Sequence, residues 1–68
     1  MSDGIKKIKG YRVMLGLTQE EMAKKLGVTL RTYFDKENGI RPFTIDELIK
    51  IKDLCNKNAI NVSLDDLT

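Results

Sequence analysis

Apolar residues along this chain recur at helical spacing, in short runs that each end on a turn residue. Ile8, Tyr11 and Leu15 predict a helix from about Ile5 to Leu15, slightly weakened by Gly10 and ended by Gly16. A second helix starts at Thr18, where Glu21 can reach back to complete a capping box. Its Met22, Ala23 and Leu26 share one face and leave Glu20, Lys24 and Lys25 to water, and Gly27 ends it. Val28 is an apolar plug for the turn, and Thr29 caps a third helix that runs to about Asn38 with Gly39 as its stop. Pro42 blocks simple continuation, and Thr44 with Glu47 forms another capping box. The fourth helix, from Ile45 to about Lys57, carries Ile45, Leu48, Ile49, Ile51, Leu54 and Cys55 on a broad apolar face. Ser63 caps a last short turn whose Leu64 and Leu67 can fold back on the core. The pattern therefore predicts a compact all-α, five-helix domain, with no repeat and no strand-like alternation.

Size narrows what such a domain can do. A chain of 68 residues holds one domain with a core worth roughly 3–5 kcal/mol and no room for an enzyme cleft or a small-molecule substrate. Its apolar runs are too short to cross a bilayer, and MSDGIKKIKG lacks the apolar centre of a secretory signal, so a cytoplasmic location is expected. With no histidine and a single cysteine, a His-based acid–base site, a zinc cage and an internal disulfide are all ruled out. Cys55 reads as a small buried hydrophobe, and no metal, cofactor or catalysis is expected. The net charge of +2 is small but unevenly spread. Lys6, Lys7 and Lys9 crowd the first helix and Arg31, Lys36 and Arg41 lie in or just after the third, whereas Asp46, Glu47, Asp53, Asp65 and Asp66 gather late.

The segment Thr18 to Gly39, TQEEMAKKLGVTLRTYFDKENG, reads as two short amphipathic helices joined by a tight turn, which is a helix-turn-helix. LGLTQEEMAKKLGVT, followed by ENG and then by VSLDDL, resembles the lambda repressor and Cro-like helix-turn-helix family over nearly the whole chain. The resemblance implies a third helix in the DNA major groove, with a double-stranded operator as partner and commonly a symmetric homodimer on a pseudo-palindrome. Gln19 matches the family glutamine that contacts a phosphate and braces the recognition helix, although such a residue can also simply face water. Asn38 matches another backbone-contacting position, and Asn before Gly is equally an ordinary helix stop. Arg12 and Glu37 match an Arg–Glu pair that ties the first helix to the third, a structural role. Base reading falls by this resemblance to Thr29, Leu30, Arg31, Thr32 and, one turn on, Asp35. Arg31 is the strongest candidate, because an arginine fork on guanine O6 and N7 is worth about 1–3 kcal/mol; its alternatives are a phosphate contact or free surface. Thr32 can reach a thymine methyl or a base acceptor, and Arg41 matches a loop position that touches DNA or stays solvated.

The chain departs from the family in three places. Relatives carry an apolar residue just before the Glu of ENG and a small polar one two positions earlier, where this chain has Lys36 and Phe34. The preferred account is a rotated face, since Leu30, Tyr33, Phe34 and Glu37 lie within about 100° of arc and can all pack inward. The competing account leaves Leu30 and Phe34 in solvent as an apolar patch for a protein partner. Near the C-terminus NKNAI is an insertion that can extend the fourth helix by about one turn, and Lys52 stands where relatives are apolar. Ile60 and Val62 then serve either as a dimer seam or as a cap on the small core. Together these features favour a transcriptional regulator that occupies an operator, of a Cro-like phage or mobile-element kind. The alternatives are an antirepressor that grips a partner regulator protein through Leu30 and Phe34, and the antitoxin of a toxin–antitoxin pair.

Overall fold

The computed structural model describes residues 3–67, and side chains from Lys7 onward. Among the described residues five helices follow in order: α1 (Asp3–Met14), α2 (Gln19–Leu26), α3 (Leu30–Glu37), α4 (Ile45–Lys57) and α5 (Leu64–Leu67). This is the all-α, five-helix arrangement that the periodicity and the caps predict, and no strand occurs among the described residues. The Lys6 side chain, counted above with the basic residues, lies outside the described residues. Among those residues no helix is long and apolar enough to cross a membrane.

Local chemistry sets the helix starts. Thr18 Oγ1 accepts the Glu21 amide at 3.1 Å while the Glu21 carboxylate accepts the Thr18 amide at 2.9 Å. Thr44 and Glu47 repeat the exchange at 3.1 and 2.8 Å, so each box satisfies two backbone donors that a helix start leaves open. Thr29 caps α3 by accepting the Thr32 amide at 3.1 Å. Ser63 works in reverse: its amide and hydroxyl both donate to the Asp66 carboxylate, at 3.0 and 3.2 Å.

Helix ends follow one scheme. Gly27 (φ 76°) and Gly39 (φ 79°) sit in the left-handed region, which lets the next amide turn back onto the helix. Val28 donates to the Ala23 carbonyl at 3.0 Å and Ile40 to the Asp35 carbonyl at 2.8 Å. α4 ends at Lys57, where the sequence places its end, and the same device closes it without a glycine. Ala59 takes φ 62°, Ile60 donates to the Cys55 carbonyl at 2.9 Å, and the Asn58 side chain donates to the Leu54 carbonyl at 2.8 Å. A left-handed alanine carries a steric cost of about 1–2 kcal/mol, part of which glycine gives back through its freer unfolded chain. Ala59→Gly is therefore expected to stabilise the domain by about 0.5–1 kcal/mol, read as a melting temperature higher by several degrees.

Ile8, Met22, Ala23, Leu26, Tyr33, Leu48, Ile51, Cys55, Val62 and Leu67 form the core, and Phe43 meets Tyr33 edge-to-face with ring centroids 6.1 Å apart. One sequence expectation changes here. The buried stripe of α4 is narrower than predicted: Leu48, Ile51 and Cys55 are enclosed, while Ile45 and Ile49, about 60–100° round the helix, remain exposed because no described element covers that flank. Val62 is buried, and Ile60 packs half-buried against the same core, its chain direction set by the Ala59 turn. Val62 thus takes the second of the two roles that the sequence leaves open, a cap on the core, while Ile60 keeps part of its side chain exposed.

Candidate nucleic-acid interface

The placement of α3 begins at Glu37, whose buried carboxylate gathers donors from three helices. Arg12 of α1 donates from Nε at 2.8 Å, Gln19 of α2 from Nε2 at 2.9 Å, and Tyr33 of α3 from its hydroxyl at 2.5 Å. A second Arg12 nitrogen donates to the Leu17 carbonyl at 2.9 Å, which anchors the chain entering α2. Burial pushes the Glu37 carboxyl up, but hydrogen bonds from Arg12, Tyr33 and Gln19 outweigh it and hold the group below the ordinary glutamate range. The Tyr33 phenol moves the other way, raised by burial and by the carboxylate that it serves. The Gln19 side chain is thus directed at α3 rather than at water.

A second buried pair fixes α3 against the start of α4. Lys36 Nζ lies 2.6 Å from Glu47 Oε1, the oxygen that also accepts the Thr44 amide. Burial pushes the Glu47 carboxyl up, and the Lys36 ammonium with the Thr44 amide more than reverse this. Lys36 is only 8% exposed, so it adds no free charge to the outer face, contrary to its place in the basic count.

Tyr33, Lys36 and Glu37 therefore define the inward side of α3, and the rotated-face account fails. Leu30 is 48% exposed and Phe34 40%, both at the edge of the helix beyond Glu37 and far round from Lys36. Beside them the Arg31 side chain is 82% exposed, and Arg41, in the loop after α3, is 61% exposed. Asp35 is a further correction, because its carboxylate is not offered to a base. It is enclosed between Arg31 Nε and Arg41 Nε, each 3.4 Å away, and its carbonyl accepts the Ile40 and Arg41 amides. Its Oδ1 has no hydrogen-bond partner among the described residues, so charge rather than a formed bond links it to Arg31.

The remaining candidates divide by how far their polar atoms are already engaged. The Thr29 hydroxyl accepts the Thr32 amide and donates to Thr32 Oγ1 at 3.0 Å, so both threonines belong to the α3 cap. Asn38 donates its side-chain amide to the Phe34 carbonyl at 2.8 Å, which closes the exposed helix end. Gln19, Leu30, Arg31 and Phe34 come together around a shallow depression of about 470 Å³. The Arg31–Asp35 spacing of i, i+4 is readable in sequence; the second arginine on Asp35 and the Lys36–Glu47 pair are not, since each joins separate elements. One signal for the latter is a charged residue at a position where the family is apolar.

Residues 8–67 match the family described as helix-turn-helix, a family of DNA-binding regulators. Comparison with curated proteins and with solved structures gives no match.

Proposed function

The chain belongs to the lambda repressor-like helix-turn-helix family, and on that premise we propose that it is a sequence-specific transcription regulator that places α3 in the major groove and acts by occupying an operator. The observation that carries this reading is the division of α3 into two sides. Its inner side is fixed by Arg12, Gln19 and Glu47 from three other helices, and its outer side presents Arg31 free of burial. A rigid element with an exposed arginine is what direct reading of a base edge requires. Arg31 reads guanine, with Asp35 restricting its swing, and Arg41 takes a phosphate beyond the end of α3. Gln19 and Asn38 flank the contact toward the DNA backbone, and Thr29 and Thr32 lie at the end of α3 nearest the bases. Two copies on a pseudo-palindrome fit this reading.

Exposure of Leu30 and Phe34 favours a second reading, in which the same face grips another regulator protein. Salt separates the two. Binding of the purified protein to duplex DNA from beside its own gene, titrated at two salt concentrations, should fall steeply, by about 0.9 in log K per log salt for each phosphate neutralised. An apolar protein interface gives a nearly flat response. Arg31→Ala is expected to weaken selective DNA binding by about 1–3 kcal/mol and relax the preference at one base pair. A folded protein that binds no duplex overturns the operator reading.

A further inference from the structure

We propose that Leu30 and Phe34 form a thymine-reading surface, in which the depression that they share with Gln19 and Arg31 receives the C5-methyl group of thymine. The inference rests on the DNA-binding reading above and names which base the apolar part of the site selects. Of the four bases, only thymine shows a methyl group in the major groove; adenine and guanine present a ring nitrogen with an amine or a carbonyl oxygen, and cytosine an amine beside a bare C5–H. Leu30 and Phe34 stand one turn apart on α3 and offer no hydrogen bond, so a cytosine or adenine amine brought against them is stripped of water without compensation. A methyl group loses nothing there and gains contact. The backbone beneath is closed as well, because the Phe34 carbonyl already accepts the Asn38 side chain.

The surroundings favour DNA over a protein as occupant. The apolar strip is continuous with Arg31 on the same helix, and Asp35, the acid nearest to it in sequence, is enclosed between Arg31 and Arg41 and so does not face a polyanion. Arginine beside an apolar pair suits a guanine or phosphate next to a thymine. Both side chains are also held on a helix that cannot rotate without breaking the Glu37 and Glu47 contacts.

The test uses the full chain and a duplex selected by it from a randomised library. That duplex is compared with copies in which single thymines are replaced by deoxyuridine, which keeps every hydrogen-bonding edge and removes only the methyl. Uracil at one or two positions per bound subunit is expected to weaken binding about four-fold each, the worth of one buried methyl, with an unchanged salt slope because no charge is altered. Leu30→Ala and Phe34→Ala should each abolish the thymine–uracil difference at one of those positions. The uracil comparison on the unaltered chain stands even if a variant fails to fold. Selective DNA binding that is indifferent to every uracil overturns the thymine assignment and leaves the operator reading in place. A folded protein that selects no duplex overturns both and gives the face to a protein partner.

Discussion

Glu37→Ala is expected to leave the domain largely unfolded at 25 °C. The substitution strands Arg12, Gln19 and Tyr33 around a site from which the shared acceptor has gone, and Tyr33 is fully buried. Removing one partner of a buried ion pair costs about 3–5 kcal/mol. A core of this size supplies roughly the same amount, so the loss is comparable to the whole stability. Circular dichroism and urea titration check it, and a midpoint equal to that of the unaltered chain refutes it. The same carboxylate makes the unaltered protein acid-sensitive. Glu37 and Glu47 are both held below the ordinary glutamate range, so between the lowered native value and the unfolded one the native state binds fewer protons. Their contribution is complete above the ordinary range and is lost as pH falls through the lowered one. Urea midpoints should therefore be level near neutral pH and decline from about pH 5 downward, as an unfolded glutamate with its ordinary value of about 4.3 takes up protons.

Much of this architecture is legible because it is local. The boxes at Thr18–Glu21 and Thr44–Glu47, and the stops at Gly27 and Gly39, each need only residues within a few positions of one another. What the chain hides is set by partners distant in sequence. Periodicity places Leu30, Tyr33, Phe34 and Glu37 close together round α3 but does not say which edge of that arc meets the core. Arg12 and Glu47 decide it by drawing Glu37 and Lys36 inward, and that leaves Leu30 and Phe34 outside. Ala59 is hidden for another reason: a left-handed alanine is tolerated at a cost, so no residue type announces the turn that sends Ile60 and Val62 into the core. At the site itself Arg31 could be singled out by type and position, whereas the enclosure of Asp35 depends on Arg41 returning from the loop.

Removing Lys36 alone should harm the fold far more than removing Lys36 and the Glu47 charge together. Lys36→Met leaves a buried carboxylate with the Thr44 amide as its remaining hydrogen-bond donor, at a cost on the order of 3 kcal/mol. Adding Glu47→Gln removes the stranded charge and keeps a group that can still complete the capping box at Thr44, while methionine fills much of the lysine stem's volume. The double variant is therefore expected within about 1 kcal/mol of the unaltered chain, a coupling that a double-mutant cycle of urea midpoints reads directly. Additive losses would instead mean that the pair is not exclusive and that each charge finds other partners. Such a cycle also bears on DNA binding, because a folded Lys36→Met, Glu47→Gln protein should keep the salt slope of the unaltered chain. Lys36 faces α4, so its charge releases no counterion from DNA; Arg31 faces outward, and any phosphate contact that it makes shows in the slope when it is replaced.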